Sequence, residues 1–122
     1  MIHSSIRAMV LLAAFACGLS TAQAANFRWL DASAARHLSD RDWELLGDTA
    51  RLALETGRDG QRFGWKNPDS GSEGSVEPLP ATGRDAGGDC RRLKIITSAG
   101  GESGTGIHTF CRQPGGEWKI AR

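Results

Sequence analysis

The stretch CRRLKIITSAGGESGTGIHTFCR, residues 90–112, decides how the rest of the chain is read. Cys90 to Thr97 reads as a strand, with Leu93 and Ile95 on one face. Ser98 to Glu102 reads as a turn centred on Gly100-Gly101, and Ser103 to Arg112 returns as a second strand. In a hairpin folded about Gly100-Gly101, facing residues have numbers that sum to 201, as those of Cys90 and Cys111 do. The register that suits the turn therefore also sets the two cysteines opposite each other.

Working outward, Gln113-Pro114-Gly115-Gly116-Glu117 is a turn, and Trp118 to Ala121 is a last short strand. On the other side, Ala81 to Asp89 is a polar, glycine-rich loop. Ser72 to Leu79 is a weaker strand, whose end Pro78 and Pro80 push toward a sheet edge. Asn67-Pro68-Asp69-Ser70-Gly71 is a strong turn signal. Before it, Gln61 to Lys66 places Phe63 and Trp65 on one face, so the two segments form a hairpin.

Upstream of the strands, Leu38 to Gly57 reads as one helix of about four turns. Ser39 is its N-cap and Asp42, three residues on, completes a capping box. Leu38 and Trp43 suit a hydrophobic staple. Trp43, Leu46, Ala50, Ala53 and Leu54 recur at helical spacing, with Leu45 and Leu52 widening the stripe. Arg51 and Glu55 are placed for an i,i+4 pair, and Gly57 supplies the stop. The expected fold class is α+β: an N-terminal amphipathic helix on an antiparallel meander of about four to five strands, with one hairpin disulfide.

The first 24 residues read as a secretory signal peptide. Arg7 precedes an apolar run from Ala8 to Cys17, and Ala22-Gln23-Ala24 offers small residues for cleavage after Ala24. That run is too short to span a bilayer. Cys17, at its end, leaves open a second processing route, lipid attachment and membrane anchoring. Residues 25–37 form a connecting segment with two aromatics, Phe27 and Trp29, and 38–122 form the folded domain. Without the leader, Cys90 and Cys111 remain, an even pair that reads as a disulfide in a small exported domain. Closing a loop of this length contributes about 3 kcal/mol.

At 122 residues the chain is one domain, too short for a large nucleotide-binding α/β enzyme. Removing Arg7 with the leader leaves 14 basic and 14 acidic residues. A neutral chain has no electrostatic footprint for nucleic acid. No metal-binding spacing such as H-E-x-x-H is found, and neither metal nor cofactor is expected. His108, near Ser103, Thr105 and Thr109, would need an acid such as Glu102 or Glu117 to act as a base; a half-buried strand histidine is the preferred reading. His37 is read as a solvent or cap residue. Asp85 and Asp89 are too few carboxylates for calcium, and Glu73 and Glu77 suit a solvated edge. Trp65 and Trp118 either pack in the core, the favoured reading, or expose an aromatic surface. Arg91, Arg92 and Lys94 cluster near the disulfide and either solvate a strand or meet an acidic partner. These five residues are the candidate binding surface.

Three blocks carry a family likeness: LSDRDWELLG at 38–47, ALETGRDGQRFGWKNPDSGSEGSVEPL at 53–79 and CRQPGGEWKI at 111–120. The chain resembles the C-terminal domain of the bacterial 17 kDa surface antigen family over about residues 38 to 120. Cys90-Arg91-Arg92-Leu93 also looks like a strand of that family. The resemblance implies an envelope location, with outer-membrane association, and a non-catalytic role. It brings no catalytic residues to transfer. No Gly-zipper segment of the kind that often precedes this domain is found, so membrane insertion is not expected. The expected function is an exported, non-catalytic envelope protein, a structural or binding module for an envelope protein or glycan. The alternative is a periplasmic inhibitor of a glycan hydrolase such as lysozyme, with a loop at 98–103 plugging a cleft. A small hydrolase built on His108 is the weakest reading. The oligomeric state is not legible.

Overall fold

A computed structural model describes residues 32–81 and 88–121. The leader, Cys17, Phe27, Trp29 and Asp85 lie outside the described residues. The element order is α1 (Ala32–Ala35), α2 (Asp40–Thr56), β1 (Phe63–Lys66), β2 (Glu73–Leu79), β3 (Cys90–Ala99), β4 (Glu102–Arg112) and β5 (Trp118–Ile120). The five strands form one antiparallel meander in the order β1-β2-β3-β4-β5. Helix α2 packs across β1 and β2, and α1 packs over the hairpin of β3 and β4.

The hairpin register is the one the cysteines suggested. Cys90 pairs with Cys111 and is bonded to it, and the pairing runs without a slip to Ala99 and Glu102. The turn itself is shorter than expected, only Gly100 and Gly101, at φ of 60° and 77°. Two successive positive φ values match the twist of the flanking strands, and only glycine takes them without strain.

This register divides the sheet into two faces. One carries Phe63, Trp65, Val76, Pro78, Leu93, Ile95 and Phe110 and lies under the helices. With Trp43, Leu46, Ala50, Ala53 and Leu54 of α2, these residues build the core. Leu38, Leu45 and Trp118 pack against it. The capping box forms as expected: Ser39 Oγ accepts from the Asp42 N–H, and Asp42 Oδ2 accepts from the Ser39 N–H at 2.9 Å.

Three sequence expectations are corrected. Leu52 is 51% exposed, because it lies about 150° round the helix from the centre of the apolar stripe. Arg51 pairs back to Asp48 at 3.4 Å rather than forward to Glu55. Gly57 is the C-cap of the helix, as expected, with φ of −73° rather than a left-handed value. A Cβ there would lie 2.9 Å from both Phe63 Cε2 and Pro78 Cγ, so close packing is the reason. Pro78 is fully buried in an interior strand, not at an edge. Its carbonyl accepts from the Gly60 N–H beyond the end of β1, so the missing proline N–H also faces a side without a strand partner.

The short segment ahead of α2 docks from Ala32 onward. Ala34 and Ala35 are buried, and the His37 ring lies against Gly100. Arg36 and His37 both reach Glu102, at 2.6 and 3.5 Å.

Replacing both Cys90 and Cys111 by Ser is expected to lower stability by about 3 kcal/mol in denaturant titration, with the strand content of the circular dichroism spectrum retained.

Candidate functional site

Polar chemistry concentrates at three places, beginning at the N-terminus of α2. Asp42 is fully buried. Its Oδ1 accepts from Asn67 Nδ2 and from Ser70 Oγ, each at 2.7 Å, while Oδ2 holds the Ser39 backbone. Asn67 and Ser70 belong to the β1–β2 turn, which they also shape: Asn67 Oδ1 accepts from the Asp69 N–H and Ser70 Oγ from the Ser72 N–H. One carboxylate thus ties the helix start to a turn 25 residues downstream. Burial alone would raise the Asp42 carboxyl, but the hydrogen bonds from Ser70, Ser39 and Asn67 outweigh it and hold the group below its ordinary 3.8.

The second place is the far end of α2. Arg91 is on the helix-facing side of β3, where its Nη1 donates to the carbonyls of Ala53 and Leu54 at 3.2 and 2.9 Å. Its Nη2 lies 3.5 Å from Asp59. A cation on the last carbonyls of a helix is favoured by hydrogen bonding and by the helix dipole. Arg92 and Lys94 alternate with Arg91 and lie on the opposite face of the sheet. The basic cluster seen in sequence is therefore split by the strand period.

The tryptophans are separated as well. Both share the helix-facing side, but Trp65 is on β1 and Trp118 on β5, at opposite edges. Four strand spacings alone put them about 19 Å apart. Trp65 is 6% exposed, and its indole lies on Gly74, where a Cβ would come within 2.6 Å of Nε1. Trp118 packs half-buried against the core, with the Arg112 guanidinium 6.0 Å from its ring centroid. Core packing is the arrangement found, and the two rings form no shared platform.

The third place is the sheet face away from α2. A shallow groove of about 480 Å³ crosses β1, β2 and β3 there, lined by Gly64, Lys66, Glu73, Ser75, Ile96 and Ser98. Arg92, Lys94 and the 52% exposed Ile107 continue this face.

The catalytic alternatives find different partners. Glu102 pairs with Arg36 and His37. His108 lies opposite Leu93, with its ring over Gly106. Residues 98–103, read as a protruding loop, form a two-residue turn braced by His37. Among the described residues, no three His, Cys, Asp or Glu side chains converge to hold a metal, and no helix is long and apolar enough to cross a membrane. Sequence reading missed the partners of Asp42 and the bracing of the hairpin by Arg36 and His37. Asn67 and Ser70 were recognisable as turn formers, but nothing local points them at Asp42.

Residues 52–119 match the family model described as 17 kDa outer membrane surface antigen. The 17 kDa surface antigen of Rickettsia bellii is 34% identical over 83 residues, covering 68% of this chain and 52% of the relative. That of Rickettsia amblyommatis is 31% identical over 80 residues, covering 66% and 52%. The chain thus spans about half the length of the curated relatives it matches. No solved structure gives a significant match.

Asp42→Ala is expected to cost about 3 kcal/mol at pH 7, since it strands donors from Ser39, Asn67 and Ser70. The acid dependence follows from the lowered carboxyl. Its contribution is complete above the unfolded-state value near 3.8 and is lost as pH falls through the lower folded-state value. The stability gap between wild type and Asp42→Asn should therefore close below about pH 4 in acid denaturation.

Proposed function

The chain belongs to the 17 kDa outer membrane surface antigen family, and from that premise we propose that it is an exported, non-catalytic cell-envelope protein whose domain is a structural or binding module. The family match over residues 52–119 carries this reading. The Cys90–Cys111 bond supports it, because disulfides persist in oxidising compartments outside the cytoplasm. Residues 1–24 are the export leader in this reading, removed after Ala24; acylation at Cys17 is the other processing route.

The disposition of the polar side chains also supports a non-catalytic role. Asp42 organises a turn, Arg91 caps a helix, and Glu102 and His37 brace the hairpin. Each potential acid, base or cation in this set is engaged in holding the fold. The surface offered to an envelope protein or glycan is the groove-bearing sheet face, with Lys66, Arg92 and Lys94 among its cations. Inhibition of a glycan hydrolase rested on a loop at 98–103, and the tight turn found there gives that alternative no support.

Expression of the full precursor in a proteobacterial host, envelope fractionation and intact mass test the proposal. A chain beginning at Ala25 and two hydrogens light is the expected product. An acylated chain beginning at Cys17 keeps the envelope role and makes it a membrane-anchored one. A cytoplasmic full-length chain with reduced cysteines would overturn it.

A further inference from the structure

Strand β4 is eleven residues long, but β5 pairs only with Phe110, Cys111 and Arg112. One more bond, from the Ala121 N–H to the Thr109 carbonyl, extends that pairing. From Ser103 to Ile107 the outer edge of β4 has no strand partner among the described residues. The Thr109 carbonyl points toward β5, so alternate residues Ser103, Thr105 and Ile107 turn their N–H and C=O groups to the same outer side. All three are exposed. This edge is long and low in charge, with Glu102 and His108 at its ends and no lysine or proline between them. The opposite edge of the sheet is only four residues and ends in Lys66. Short strands and lysines are how sheets protect an edge from pairing, and β4 has neither protection.

We propose that this edge docks a second copy of the chain, β4 against β4 in antiparallel two-fold pairing, to give a continuous ten-stranded sheet. The free segment itself selects the register. It is bounded by the Gly100-Gly101 turn at one end and by the β5 contact at Thr109 at the other, and its midpoint is Thr105. A two-fold axis at Thr105 sets each outward-pointing residue opposite another: Thr105 faces Thr105, and Ser103 faces Ile107. Those are the pairs that exchange both backbone hydrogen bonds. On the helix-side face Gly104 meets Gly106, with the His108 ring of each copy lying over its own Gly106. A threonine pair at directly opposite positions favours the association. The segment is thus self-complementary, which an isologous interface requires.

Sedimentation of the exported protein over a concentration series tests the proposal, together with three variants. Wild type is expected to sediment as a dimer at about 100 µM and to dissociate on dilution. Ile107→Lys adds the edge protection that β4 lacks, and Thr105→Pro removes an outward N–H. Each is expected to weaken dimerisation at least about tenfold with an unchanged circular dichroism spectrum. Thr105→Cys lies on the axis, where opposed Cα atoms about 5.5 Å apart fit disulfide geometry, and is expected to give a covalent dimer on oxidation. Because Thr105→Cys removes no backbone donor, it reads the interface even if Thr105→Pro fails to fold. Wild type that stays monomeric overturns the proposal. So does a dimer that Ile107→Lys leaves intact and Thr105→Cys does not cross-link, since it would use another surface. Neither result bears on export or family membership.

Discussion

The register between β3 and β4 is the constraint on which the other contacts rest. Side chains alternate across a strand, so a slip of one residue would exchange the two faces of the sheet. Leu93 and Ile95 would leave the core, and Arg92 and Lys94 would be driven under the helices. Two covalent facts exclude that slip. A Gly-Gly turn accepts the two positive φ values at one end, and the Cys90–Cys111 bond closes the other. Because β3 is the central strand, its register is passed to β2 and then to β1. Arg91 meets the end of α2 and Phe110 enters the core for the same reason.

Asp42 links this sheet to the helix. A buried carboxylate is costly without partners, so the site is stable only because the Ser39 N–H, Asn67 and Ser70 all donate to it. The same three bonds fix where the helix begins, how the β1–β2 turn closes and where the two meet. At the other pole Arg91 plays the complementary part, donating to the carbonyls of Ala53 and Leu54 in the last turn of the helix. Helix α2 is therefore held at its N-terminus by an anion and at its C-terminus by a cation, with the apolar stripe between them. This arrangement leaves uncovered a shallow groove on the far sheet face and one edge of β4.

Most of the fold was legible because it depends on short-range patterns. The capping box, the apolar stripe of α2, the turn at Asn67–Gly71 and the β3–β4 register are all local in sequence, and all appear in the structure. Pro78 was misread because a proline signals a missing donor without saying on which side the neighbouring strand stops. Gly57 is the helix stop that the sequence supplies, but it is glycine because Phe63 and Pro78 exclude a side chain there, a reason no local pattern carries. The candidate surface fared less well. Arg91, Arg92 and Lys94 are neighbours in sequence, yet a period of two sends them to different faces. Trp65 and Trp118 share a face but lie on strands that never meet.

The sequence by itself determined α2 and the five strands, the hairpin register, the cysteine pair and the likeness to the 17 kDa surface antigens, because each is written in spacing or in contiguous motifs; the short helix α1, inside the connecting segment, was not legible. Only the tertiary structure decided that Asp42 binds the Asn67–Ser70 turn, that Arg91 caps α2 and that Arg36 and His37 brace the hairpin. It also decided which edge of the sheet remains open. These contacts join residues far apart in the chain. Their physical basis is the burial or exposure of hydrogen-bonding groups, and that depends on which strand or helix comes to lie beside them.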